Sequence, residues 1–259
     1  MGYRYYRSCL TPDEQKAYDI YVQAVKNFTK EIDLPRLTKP QLTRVLDAVN
    51  YDYPEFFYVK RGNESSKPYY YYIYPDHLKY SLCYDISKEA VQKATRQIEA
   101  IAHRLIAKAK ESGCRSDLAV AAYLHNYITD NIGYTEKSLS PKRNHCILGG
   151  LINKECVCEG YAKLYLYFLD RAGIPAIYIC GKTSSERDTY HAWNMVKLDG
   201  NWYHTDATWN ANARGKGNWE YFMLTEKEIT SKSHFMPKDF PIPKSLVPLN
   251  LNRDSRSLR

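Results

Sequence analysis

A two-residue turn constrains this chain more than any other feature. Asp199-Gly200 separates residues 192–198 from residues 202–206, both runs of strand-forming side chains, and an Asp-Gly pair in that setting predicts a tight β-hairpin. The loop length sets the register: Leu198 faces Asn201, so Trp193 faces Asp206 and His191 faces Thr208. His191 and Asp206 then share a sheet face as diagonal neighbours, with α carbons about 7–8 Å apart. A carboxylate at that distance can accept a hydrogen bond from one imidazole nitrogen and leave the other for a third group. His204 shares the face in the same register, and geometry alone leaves open which histidine acts as a base.

The segment before the hairpin supplies a third group. From Cys158, the apolar positions Tyr161, Leu164, Tyr165, Phe168 and Leu169 recur at helical spacing until Gly173 and Pro175 stop the pattern. Cys158 therefore opens a helix, where unsatisfied amides and the positive end of the helix dipole favour thiolate over thiol and can hold an oxyanion. A cysteine in such a place is more often a small core hydrophobe, so the position acquires chemical meaning from the histidine and aspartate that follow.

The rest of the chain reads as helices and short strands. Thr11-Pro12-Asp13-Glu14 carries the signature of a helix start and predicts a helix over residues 12–30. A second helix is expected over 39–49, then three aromatic-rich strands over 56–59, 69–74 and 80–85, separated by Arg61-Gly62-Asn63 and Pro75-Asp76. Long helices follow from Ser87 to about Lys110 and from Asp117 to about Asn131, then a loop-like stretch over 134–155 and a strand over 176–180. The expected class is α+β, with residues 1–85 as a helix-and-strand extension and 86–259 as the core that carries Cys158, His191 and Asp206.

The net charge of +8 is concentrated after residue 85: residues 1–85 hold 12 Lys+Arg against 11 Asp+Glu, and the remainder 25 against 18. The basic residues are scattered, which argues for a solvated face and against a nucleic-acid partner. Nothing approaches the run of about 18–20 apolar residues that a membrane span needs, and residues 1–7 lack the apolar stretch of a signal peptide. The compartment is expected to be cytoplasmic, or secreted or cell-surface if an export segment lies outside this sequence. Seven cysteines leave at least one unpaired. His145, Cys146, Cys156 and Cys158 offer two short pairs of metal-ligand type, although both spacings are tighter than the usual Cys-x2-Cys. The 25 tyrosines are assigned to half-buried strands and to no function.

Val157-Cys158-Glu159-Gly160-Tyr161-Ala162, Gly173-Ile174-Pro175, His191-Ala192-Trp193-Asn194, Asp199-Gly200-Asn201-Trp202-Tyr203 and Asp206-Ala207-Thr208-Trp209 together resemble the transglutaminase-like core in its bacterial form, in order and spacing over roughly residues 115–225. The resemblance implies a papain-like fold, in which a nucleophile helix packs on an antiparallel sheet, and a Cys-His-Asp triad at Cys158, His191 and Asp206. It implies acyl transfer or hydrolysis at peptide or glutamine amide bonds through a thioester. The substrate would be a protein or peptide, cell-wall peptide included. A peptidase or amidase is favoured, and a cross-linking transglutaminase is the alternative. An inactive binding or scaffold module is the alternative of another class, and the three intact residues speak against it. No cofactor or metal is expected, since no acidic loop here resembles the calcium sites of animal members. The oxyanion would meet the Cys158 amide and one side chain among Tyr134, Asn144 and His145.

Overall fold

The computed structural model describes residues 2–60, 71–135, 144–183, 190–212, 219–238 and 240–249. Arg61-Gly62-Asn63, Tyr69, Tyr70 and Pro141 lie outside them. The chain forms two compact units, one of Arg4–Gln97 and one of Met1–Tyr3 with Ile98–Arg259.

In the first unit the helix Pro12–Asn27 starts where the sequence says, with the Glu14 carboxylate accepting from the Thr11 amide and hydroxyl at 2.9 and 3.0 Å. It stops before residue 30 because Phe28 turns left-handed, φ 57°. A helix at Lys39–Asp52 follows, and a short one at Tyr5–Ser8 precedes them. The carboxylate of Asp52, the last residue of the helix Lys39–Asp52, ties all three together: it accepts from the Tyr6 and Arg7 amides at 3.1 and 2.9 Å and from the Tyr18 hydroxyl at 2.7 Å.

The sheet of this unit differs from expectation. Its strands are β1 (Glu31–Pro35), β2 (Tyr71–Ile73) and β3 (His77–Ser81), antiparallel in the order β1-β3-β2. Residues 31–35 contain Asp33 and Pro35, poor strand formers, yet pair with β3, where buried Leu34 faces Leu78 and Glu31 lies 3.6 Å from Lys79. The expected strand over 56–59 is a ring-packed segment: Phe56 stacks on Tyr53 at 4.5 Å and Tyr58 on Phe28 at 5.0 Å, and a single bridge joins Val59 to Tyr84. Aromatic content marked packing there, and not pairing.

The second unit holds the site. The helix Lys88–Glu111, which runs across the boundary between the units, is closed by Gly113 at φ 92°. Ser116 then caps Asp117–Asn131 by accepting from the Ala119 amide at 3.2 Å. The stretch read as a loop contains β4 (Gly133–Tyr134) and β5 (Glu155–Cys156), which pair in parallel, and a π-helical turn at Gly149–Asn153. The helix Cys158–Ala172 is buried at every position from Gly160 to Leu169, so it is a central helix, and its one buried charge, Lys163, is paired with Glu159 at 2.7 Å. Burial of Tyr161, Tyr165, Tyr167 and Phe168 stabilises it by about 1.5–3 kcal/mol per large side chain.

This helix packs against a four-stranded antiparallel sheet of order β8-β7-β6-β9, with β6 at Ala176–Thr183, β7 at Tyr190–Leu198, β8 at Asn201–Thr205 and β9 at His234–Phe235. Asn194 on β7 stitches sheet to helix by donating to the Ala162 carbonyl at 3.0 Å. The hairpin has the expected register, Leu198 opposite Asn201 and Asn194 opposite Thr205. Asp199 and Gly200 take φ of 48° and 83°, the double left-handed conformation a two-residue loop of this kind requires. Among the described residues no helix is long and apolar enough to cross a membrane.

Candidate functional site

Three elements deliver the sequence-predicted residues to one place. Cys158 is the first residue of its helix, and Gly160 explains why the chain can approach it so closely. A β carbon at position 160 would stand 2.5 Å from both the Asn144 carbonyl oxygen and the Cys156 β carbon, so any larger residue would push the approach loop off the first helical turn. His191 comes from the start of β7, and the Cys158 side chain nearby favours its charged form.

Asp206 follows the last residue of β8. Strand pairing ends at Thr205, so Thr208 does not face His191 across a ladder as the extrapolated register has it; residues 207–212 turn instead into the helix Ala207–Asn212. Asp206 caps that helix, its Oδ1 accepting from the Thr208 and Trp209 amides at 2.8 and 3.0 Å. The other oxygen, Oδ2, accepts from His191 Nε2 at 2.6 Å. The diagonal pairing of His191 with Asp206 is thus present, at the point where the strand becomes a helix.

The surroundings of His191 and Asp206 are buried and aromatic. His191 is 8% exposed and Asp206 0%, and Trp193 and Trp209 lie with ring centroids 6.0 and 5.5 Å from that of His191. Burial disfavours the charged imidazole, yet the Asp206 carboxylate and the hydrogen bonds to Asp206 and Cys158 outweigh it and push His191 up to about 10. Burial likewise opposes the charged Asp206, and His191 and His234 reverse the effect, holding the carboxyl well below the usual range. Behind them, burial pushes His125 down to about 4, and its Nε2 accepts from Asn210 Nδ2 at 2.9 Å, while Asn210 Oδ1 accepts from the Tyr221 amide. This anchors the short helix that Asp206 caps.

His204, the rival histidine, is elsewhere engaged. It is fully buried, its Nδ1 accepts from the Trp193 indole at 3.1 Å, and burial pushes it down to about 3, so it is a neutral acceptor. The second histidine on Asp206 is one the sequence did not announce: His234, from β9, lies 3.0 Å from Oδ2 through its Nε2. No hairpin or helix spacing connects position 234 to 206, and the contact arises because β9 closes the sheet at the free edge of β6.

The pairs once weighed as metal ligands do not converge. Among the described residues, His145, Cys146, Cys156 and Cys158 form no three-ligand group: His145 Nδ1 lies 2.9 Å from Glu159 Oε2, and Cys156 is fully buried, which pushes its thiol well up. All seven cysteines are free thiols. His191, Asp206 and His234 are the one convergence of three such side chains among the described residues, and hydrogen bonds already satisfy the atoms that face one another. Of the oxyanion candidates, Asn144 is buried with its Nδ2 donating to the Thr135 carbonyl at 3.3 Å, His145 is bound to Glu159, and Tyr134 is exposed.

Residues 100–207 match the family model of the transglutaminase-like superfamily. The α+β reading of the fold, with the helix opened by Cys158 on an antiparallel sheet and helices and strands preceding it in the chain, is what the chain adopts. Similar solved structures include a proposed cysteine protease of Cytophaga hutchinsonii (14% identity, TM-score 0.37, 54% of this chain and 61% of that one), a protein described as a TGase (15%, 0.40, 73% and 57%) and the periplasmic domain of TgpA from Pseudomonas aeruginosa (18%, 0.34, 52% and 54%). The chain thus spans somewhat over half the length of each. No curated protein matches the sequence.

Proposed function

We propose that this chain is a cysteine-dependent acyl-transfer enzyme acting on peptide or glutamine amide bonds, with Cys158 as nucleophile, His191 as acid and base, Asp206 as the orienting carboxylate, and water as the favoured acceptor. One observation carries the reading: His191 is bound at 2.6 Å to a buried, amide-anchored carboxylate, and Cys158 at the helix start lies near enough to favour its charged form. The Cys158 thiolate attacks the amide carbonyl carbon. As the carbon–nitrogen bond breaks, the proton on His191 passes to the departing amine and a thioester forms. Water then attacks the thioester, its proton goes to His191, and the sulfur leaves as thiolate with release of a carboxylic acid. The oxyanion in each step meets the Cys158 amide at the helix start and one side chain among Tyr134, Asn144 and His145.

Water is favoured because Cys158 is part-exposed and the sequence shows no walls that would exclude solvent while an amine is selected. The test acylates the protein with a labelled glutamine peptide in excess primary amine and measures free acid against amine adduct, with Cys158→Ala as control. Free acid should dominate and the control should form no thioester. A product dominated by adduct overturns the hydrolase reading in favour of cross-linking, and acylation of the Cys158→Ala protein overturns the site.

A further inference from the structure

The carboxylate of Asp206 is saturated. Oδ1 accepts from the Thr208 and Trp209 amides, and Oδ2 accepts from His191 at 2.6 Å and from His234 at 3.0 Å, which uses all four acceptor positions of an ionised carboxylate. The proposed triad accounts for one of these four donors, and helix capping for two. His234 is the fourth, and nothing in the triad requires it.

Its other nitrogen is as informative. His234 Nδ1 lies 2.9 Å from the Lys232 carbonyl oxygen, and a carbonyl can only accept. Its Nε2 faces a carboxylate oxygen, which when ionised also only accepts. A neutral imidazole has one donor and one acceptor nitrogen and would leave one of these contacts as two opposed lone pairs, whereas a ring carrying both protons satisfies both. The ring is also held rigidly. It is fully buried, edge-on to Trp193 at 5.0 Å and Trp209 at 4.5 Å, and it stands 5.4 Å from His191 at an interplanar angle of 70°. A residue present for packing alone would be served by an apolar side chain in this aromatic box.

Resting on the triad reading of the site, we propose that His234 is a positioning residue for the same reaction: it donates from Nδ1 to the Lys232 carbonyl and from Nε2 to Asp206 Oδ2, and so fixes the carboxylate that orients His191. It acts through Asp206 and touches neither thiol nor substrate.

The two amide substitutions separate this role from packing. In His234→Gln the side-chain amide can occupy the Nε2 position and keep the donor to Asp206; in His234→Asn it can occupy the Nδ1 position, keeping the bond to Lys232 but abandoning Asp206. With acylation by an activated ester as the assay, kcat of His234→Asn should fall about 100-fold with KM unchanged, the size of loss that a misplaced catalytic group produces, and His234→Gln should recover most of it. In the unsubstituted protein, the nitrogen-15 shifts of His234 at neutral pH should show protons on both ring nitrogens, a measurement that no folding defect can obscure. Equal activity of the Gln and Asn variants, or an unprotonated nitrogen on His234, overturns the proposal. Undiminished acylation in Cys158→Ala or His191→Ala would overturn the triad reading and this role with it, whereas loss in those two variants and none in His234→Asn would remove His234 alone.

Discussion

Two aspartates sit at the buried starts of short helices in this protein, and they behave oppositely. Asp52 accepts from the Tyr6 and Arg7 amides and from the Tyr18 hydroxyl; Asp206 accepts from the Thr208 and Trp209 amides and from two imidazoles. The amide half of each arrangement is the same capping device. The other half differs in charge. A phenol hydroxyl gives a hydrogen bond without a charge, and burial outweighs it, the two amides and the nearby Arg4 guanidinium, pushing Asp52 up to about 6. Histidines can carry the opposite charge, so Asp206 stays ionised despite complete burial. Desolvation decides the first case and charge pairing the second, which separates a carboxylate that holds a fold from one suited to chemistry.

The largest expected effect breaks this comparison at its chemical end. Asp206→Asn should lower acylation by about 10³–10⁴-fold, because the amide cannot favour charge on His191 and can present the wrong hydrogen-bonding group to it. Asp52→Ala should leave acylation unchanged and lower the stability of the unit Arg4–Gln97 by on the order of 3 kcal/mol, since three buried donors lose their acceptor. Acyl-enzyme yield by mass spectrometry and urea unfolding read the two effects. Comparable activity losses in both variants would mean that the two carboxylates do the same work.

The pH dependences should also part. His191 is raised from 6.5 to about 10, so its contribution to stability is full below pH 6.5 and lost as the pH rises through 10, and its acid form should support acylation up to that limit. In Asp206→Asn the alkaline limb of the acylation profile should retreat toward 6.5. Asp52 is a raised acid: it binds its proton more tightly folded than unfolded, so its contribution is full below 3.8 and lost as the pH climbs through 6. The first unit should therefore weaken by about 3 kcal/mol between those values, measured by denaturation at a pH series. A first unit that gains stability over that window would refute the account of Asp52.

A smaller effect tests the histidines. His191→Ala should abolish thioester formation, while His204→Ala should retain most of it and cost about 1–3 kcal/mol of stability, because the Trp193 indole loses its acceptor. The reverse order of activity loss would reassign the base.

These distinctions were unequally legible in the sequence. The Asp199-Gly200 turn carried the register, and with it the pairing of His191 and Asp206, because a two-residue loop leaves one alignment. The helix opened by Cys158 was legible because its apolar repeat begins at once and ends at Gly173. His204 could be set aside by the family resemblance but not by geometry, since what disqualifies it is a bond to an indole whose direction no spacing encodes. His234 was invisible for a related reason: β9 is two residues long and reaches Asp206 by closing a sheet edge, a tertiary event without a local pattern. In the first unit β1 was missed because Asp33 and Pro35 mask its strand pattern and its partner strand lies far along the chain, and residues 56–59 were misread because aromatic rings serve stacking as readily as strands.

The smallest expected effect sharpens the comparison at its structural end. Tyr18→Phe removes a single neutral donor from Asp52 and leaves both amides in place, with little change in the volume of a side chain that is almost fully buried. The lost bond should cost about 1 kcal/mol, and acylation should be unaffected. The direction of the accompanying shift carries the argument. The Tyr18 hydroxyl favours the charged carboxylate, so its loss should move Asp52 further upward and extend the window over which the first unit loses stability to higher pH. An equivalent loss at Asp206 would remove a charge partner as well as a hydrogen bond. If Tyr18→Phe instead shifts that window to lower pH, the hydroxyl is accepting from a protonated Asp52, and the contrast between a phenol and an imidazole as carboxylate partners fails at its first term.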